Sequence, residues 1–222
     1  MLELAAFAHE ALRAQGAILL GLSTTAFIAG GGMGLGLAIG CVLSLGAVYG
    51  PRALKAAVAT YVFVLRGVPL LVTILFVFFG LGQVWRAMPA EAAAILAMGL
   101  FSGAYATEIF RGALQSVTSA QIDAAKAIGL PFLGRFAYVI LPLALRRAIP
   151  SFTNVAVDMV KASTLVAALG VSDLLQTGQQ IAMRTLLIPE FYLALWLTYL
   201  AVNFSITGFG RWCEGRLRHV AY

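Results

Sequence analysis

Charge is what this sequence has least of. Asp, Glu, Lys and Arg make up only 11% of its 222 residues, against about 25% in ordinary soluble domains. That scarcity excludes a disordered chain and a water-soluble surface dressed with ion pairs. Cysteine is almost as rare. Cys41 lies in an apolar run and Cys213 beyond the last one, so neither a disulfide framework nor a CxxC metal or redox pair is expected. The two histidines, His9 and His219, sit near opposite termini. With no HExxH, no Gly-x-Gly-Asp and no Ser/His pairing in the apolar runs, intramembrane hydrolysis lacks a base. No catalytic or metal-ligating residue is expected. Gly-Lys-Ser and Gly-Lys-Thr are both absent, so the chain has no phosphate-cradling loop with which to hydrolyse ATP.

What is present is apolar: hydrophobic residues reach 61%, which places the chain in a bilayer. A crossing helix needs roughly 20 apolar residues. Five such spans are predicted, at 16–48, 54–81, 92–114, 149–169 and 191–209, giving an all-α polytopic transmembrane bundle in one domain, 1–222. Glu3, Glu10 and Arg13 precede the first span, a pattern unlike a cleavable signal. Within that span Gly32, Gly36, Gly40 and Ser44 recur every fourth residue. The spacing predicts a small-residue face for close helix packing, not a dinucleotide loop, which needs GxGxxG after a strand. The second span is interrupted by Arg66-Gly67-Val68-Pro69. It is either one broken span or two short segments meeting at a cavity, and it is counted once.

The net charge of +6 reads as loop placement. With the N-terminus outside and the C-terminus in the cytosol, the inside segments hold Arg52, Lys55, Arg111, Lys126, Arg135, Arg146, Arg147, Arg211, Arg216 and Arg218. The outside segments hold only Arg13, Arg86 and Arg184, a bias that sets orientation. In the polar stretch 170–190, Ser172-Asp173 is expected to cap a helix.

The longest inside segment, 119–142, predicts a short helix from Asp123 to Ile128, stopped at Gly129-Leu130-Pro131. A second helical piece is expected to close at Leu141-Pro142. A free-standing helix with small alanines on its surface suits a partner's groove, and an ordinary surface loop would fit the spacing equally. Asp123-Ala124-Ala125, three residues, Gly129, then Val139-Ile140-Leu141-Pro142 resembles the EAA motif of bacterial ABC-importer permease subunits. There the motif is Glu-Ala-Ala, three residues, Gly, nine residues and Ile-x-Leu-Pro. Leu65-Arg66-Gly67-Val68-Pro69-Leu70-Leu71-Val72 is similar to the "RGTPLLVQ" segment of the polar amino acid branch, which takes up histidine, glutamate, glutamine, arginine or opines. Ala104-Tyr105, Glu108-Ile109-Phe110-Arg111-Gly112, Asn154 and Lys161 with Ser163-Thr164-Leu165 are similar to its later signatures.

The resemblance implies a type I ABC-importer permease fold in the bacterial inner membrane. It also implies a second permease subunit, a pair of cytosolic ABC ATPases that bind the ATP and Mg, an extracytoplasmic solute-binding protein and a polar amino acid as cargo. No cofactor is expected in this chain. Asp123, Ala124, Ala125 and Gly129 would couple it to the ATPase. Arg66, Asn154, Asp158, Lys161, Ser163 and Thr164 would line the substrate pathway. The family usually has an apolar residue where Asp158 stands and often Asp where Ala162 stands.

The residues themselves leave two readings of that pathway. Asp158 lies eleven residues beyond Arg147, roughly 17 Å into the span, where a core about 30 Å thick has its midplane. Asn154, Asp158, Lys161 and Leu165 share one helix face. Asp158 and Lys161 either neutralise each other as a packing pair or offer opposite charges to a zwitterion in a wet path. Arg66, at the break in span two, either clamps Glu108 or a carbonyl, or meets a carboxylate. Glu108 and Arg111 are expected to pair at the inner boundary. An ion-driven transporter or channel would also use midplane charges, but it leaves 119–142 without a role.

Overall fold

The computed structural model describes residues 2–81 and 88–217, so Arg86, Arg218 and His219 lie outside the described residues. The first helix, α1 (Leu2–Tyr49), starts well before the predicted 16–48. The segment before Gly16 contains no breaker and is rich in Ala, Leu, Glu and Arg, all good helix formers. Its charges pair locally, with Arg13 3.5 Å from Glu10 at i, i+3. The helix stops at Gly50-Pro51.

Span two is not straight. The helices α2 (Arg52–Gly67) and α3 (Leu70–Leu81) are bent by 106° at Val68-Pro69. Proline supplies no amide donor there and forces the preceding residue to extended backbone. At 1.5 Å per residue the two arms are about 24 Å and 18 Å long, each short of the core thickness. Among the described residues, four helices are long and apolar enough to cross a membrane, and the bent pair brings the count to five.

The centre of the molecule is α4 (Ala90–Gln115), which packs along α1. Gly32, Gly36, Gly40 and Ser44 are all buried. A Cβ on Gly32 would stand 2.8 Å from Met98 Cβ, and one on Gly36 would stand 2.8 Å from Gly103 N. The contact is reciprocal, because a Cβ on Gly99 would meet Leu35 and one on Gly103 would meet Ile39. Ser102 Oγ donates across the seam to Gly32 O at 3.0 Å. The small-residue face is therefore a packing face.

A short helix, α5 (Ser119–Ala127), follows. It begins four residues before the predicted Asp123 because Thr118 and Gln121 form a capping box, satisfying each other's backbone donors. Gly129 ends it in the left-handed region at φ +79°.

Next comes α6 (Phe132–Leu169), a single 38-residue helix. The expected closure at Leu141-Pro142 does not occur. The chain widens into a π turn at Phe136–Ile140, which accommodates the carbonyl that Pro142 cannot pair. The helix then runs through Pro150 and tightens to a 3₁₀ turn at Ser163–Leu169.

As expected, Asp173 caps the next helix, α7 (Leu174–Thr185), accepting from Gln176 N at 2.9 Å. The last helix, α8 (Ile188–Arg216), extends past the predicted 209. The main core gathers Ile28, Ile74, Met98, Val155, Met159 and Val166 from α1, α3, α4 and α6.

Candidate functional site

Three groups of polar side chains break the apolar pattern. The first lies on α6. Val155, Met159 and Val160 are buried in the core, whereas Asn154, Asp158 and Lys161 are exposed. Lys161 Nζ donates to Asp158 Oδ1 at 3.3 Å, with side chains 59% and 67% exposed. The pairing expected at i, i+3 forms, yet the pair faces away from the core and holds no other element in place. Thr164 donates its hydroxyl to Lys161 O at 2.8 Å. Ser163 does not join this face: it is fully buried and its hydroxyl donates to Val160 O at 2.8 Å. Leu165 packs against the main core. A charged pair at hydrocarbon depth costs several kcal/mol if it meets lipid, so this face suits water, solute or a protein partner.

The second group surrounds the bend between α2 and α3. Arg66 places its guanidinium 4.9 Å from the centre of the Tyr105 ring. It does not clamp Glu108. Both Glu108 oxygens belong to Arg111, through Nε–Oε1 at 3.0 Å and Nη2–Oε2 at 2.6 Å, a bidentate pair that fulfils the boundary expectation. The same Arg111 reaches Gln115 Oε1 at 2.8 Å. Arg66, Gly67, Tyr105 and Glu108 line an open cavity of about 490 Å³. Stacking on a ring leaves the N–H edge of the guanidinium available. Among the described residues, no hydrogen bond or ion pair joins this cavity to Asp158 or Lys161. Tyr105 is the partner that sequence reasoning passed over for Arg66. It lies 39 residues downstream, and stacking on an aromatic face leaves no local spacing to detect.

The third group is the tip formed by α5 and the start of α6. Asp123 and Lys126 pair at 2.7 Å on the surface. Ala124 is exposed and Ala125 is buried, so the two alanines do different jobs. Around Gly129 a Cβ would find no atom within 4 Å, and the φ alone demands glycine. The sequence reading missed Ile128 and Leu133, each 76% exposed. Two such side chains beside a glycine stop leave an apolar, outward-facing knob at the tip. Tyr49 at the end of α1 supports the tip, its ring edge-on to Phe132 at 5.6 Å and to Phe136 at 6.3 Å.

A family model described as the binding-protein-dependent transport system inner membrane component matches residues 32–219. The chain belongs to that family. The chain is similar to the probable amino-acid ABC transporter permease protein YckA of Bacillus subtilis (strain 168). YckA is 33% identical over 185 residues, covering 83% of this chain and 82% of its own. The glutamine transport system permease protein GlnP of Escherichia coli (strain K12) is 30% identical over 200 residues, 89% and 91% of the two chains. The octopine transport system permease protein OccQ of Rhizobium meliloti is 31% identical over 192 residues, 81% of each.

Among solved structures, an amino acid ABC transporter crystallised with histidines superposes with a TM-score of 0.83 at 27% identity. The overlap covers 92% of this chain and 96% of that one. The inward-facing MetNI methionine ABC transporter gives a TM-score of 0.70 at 18% identity, covering 92% and 94%, and shares the fold. The family's architecture, a multi-pass inner-membrane bundle of the type I ABC-importer permease class, is that of this chain.

Proposed function

We infer that this chain is the membrane-spanning permease subunit of an ATP-driven ABC importer, moving a polar amino acid inward by alternating access. The observation that carries the reading is the exposed charged face of α6. Asn154, Asp158 and Lys161 stand on a helix whose opposite side is apolar, at a depth where lipid would penalise them. A wet path between two permease subunits, identical or related, removes that penalty. An α-amino acid carries one ammonium and one carboxylate, which match Asp158 and Lys161 in sign. Arg66 adds a second cation with its N–H edge open to a carboxylate, at a helix break of the kind that marks transport sites. Ser163, being buried, serves the path only by holding the 3₁₀ turn beneath Thr164.

Hydrolysis belongs to a separate cytosolic ABC ATPase dimer carrying ATP and Mg. Asp123, Ala124, Ala125 and Gly129 present the α5 tip to it, and the knob of Ile128 and Leu133 suits an apolar groove. The basic bias of the segments around that tip supports a reading with the tip and the C-terminus in the cytosol and the N-terminus outside. There an extracytoplasmic binding protein would deliver the cargo.

Reconstitution with the ATPase and binding protein in liposomes tests this. Polar amino acids, opines included, are screened for stimulation of ATP hydrolysis and for uptake. At least one should raise hydrolysis several-fold, and Asp158→Asn should shift the concentration that gives half-maximal stimulation. Uptake that persists without the ATPase would overturn the reading in favour of an ion-driven carrier.

A further inference from the structure

Behind the polar face, α6 borders a second feature with no part in solute movement. An apolar crevice runs between α1, α6 and α8. Its upper lobe, about 330 Å³, is lined by Thr25, Ala29, Val160 and Val202, and its lower lobe, about 230 Å³, by Phe152, Gly210 and Cys213. Met33, Ala156 and Ile206 line both, so the lobes are one slot. From Val202 to Cys213 it spans eleven residues of α8, about 17 Å, close to one leaflet of a core about 30 Å thick. The hydroxyls in its walls are engaged: Thr153 donates to Ile149 O at 3.0 Å, and Thr25 accepts from Leu174 N at 3.1 Å. A helix about 10 Å wide with its side chains does not fit such a slot, whereas a flexible hydrocarbon chain does.

The lower mouth is basic. Arg146 stands one turn before Ile149 and Arg216 one turn beyond Cys213, each near the crevice side of its helix. Arg211 points to the far side of α8. Arg216 lies 5.2 Å from the centre of the Trp212 ring, and Trp212 stacks on Phe209 at 5.6 Å. Arg147 is also at this level and donates to Ser116 O. Glu214 is the acid at this end. Among the described residues, Arg146, Arg211 and Arg216 make no ion pair. An exposed aromatic pair beside unpaired arginines is the arrangement found at headgroup level.

We propose that this crevice holds one acyl chain of an anionic phospholipid, with its headgroup phosphate bound by Arg146 and Arg216. The site depends on membrane embedding alone and not on which solute is carried. Lipid retention is read without transport, so failure of the import reading leaves this test intact.

The assembled transporter, purified in mild detergent, is washed with mixed micelles containing equal phosphatidylglycerol and phosphatidylcholine of identical chains. Retained lipid is then quantified by mass spectrometry. Two surface arginines give about thirtyfold enrichment of phosphatidylglycerol. The Arg146→Gln/Arg216→Gln pair should bring the ratio near one, and Ala156→Phe, which fills the slot, should lower total retained lipid. The arginine pair lies outside the core, so it decides the matter even if Ala156→Phe fails to fold. A ratio near one in the unaltered protein, or enrichment unchanged in the arginine variant, overturns the proposal. So does cross-linking of Cys213 to a second protein chain, which would put protein in the crevice.

Discussion

Gly129 holds a conformation that its neighbours do not force by contact. Its φ of +79° ends α5 and turns the chain toward α6, and the space around it is open. A β-branched side chain in that region costs about 1–2 kcal/mol from backbone clash alone. Gly129→Val should therefore leave the protein inserted while re-aiming the Ile128 and Leu133 knob. Solute-stimulated ATP hydrolysis in liposomes should fall at least tenfold, with basal hydrolysis little changed. Full stimulation in the variant would remove the coupling role. At this scale the sequence is readable wherever partners are local. The Asp158–Lys161, Glu108–Arg111 and Asp123–Lys126 pairs all follow from i, i+3 spacing. It is opaque where a tertiary contact decides. Arg66 chose the Tyr105 ring over the carboxylate one turn further along α4, because Arg111 already occupies both oxygens of Glu108. Ser163 turned inward where the helix tightens to 3₁₀ geometry and shifts each side chain's direction.

Helices, as elements, were legible by apolar length but not by their joints. The glycine ladder of α1 announced a close-packed seam, and α4 supplies the matching small residues. Gly36→Leu would drive a side chain into Ser102 and Gly103; the Ser102 hydroxyl is met first, and Gly103 N and Ser102 Cβ just behind it, at 2.8 and 2.9 Å, cannot yield. Such overpacking costs about 1–3 kcal/mol or more. The detergent-solubilised protein should show a clearly lowered melting temperature and poor recovery, whereas Gly34→Leu, with no atom within 4 Å of its Cβ, should not. Equal melting of the two variants would count against the seam. The joints eluded sequence reasoning for a common reason. Whether a proline bends a helix or is absorbed depends on what lies around it. At Val68-Pro69 the chain turns by 106°, while at Pro142 a π turn lets the helix continue.

The proposed direction of the whole molecule, with the α5 tip in the cytosol, rests on its basic residues. A single cysteine at Ala124, introduced in a Cys41→Ala/Cys213→Ala background, tests it. A membrane-impermeant maleimide should label this exposed position in inverted vesicles and spare it in right-side-out ones. The opposite pattern would reverse the topology.

The continuity of α6 also has a mechanical meaning. Leu133, on the knob, and Lys161, on the charged face, stand 28 residues apart on one helix, about 42 Å along its axis. No loop interrupts that distance, and a π turn lies close to the knob. The helix is then a lever with its fulcrum close to the cytosolic end. A tilt of about 10° there would carry Lys161 sideways by roughly 7 Å, more than one helical turn. Displacement is amplified by leverage, so a small closing movement at the tip is enough to rearrange the charges a solute would meet.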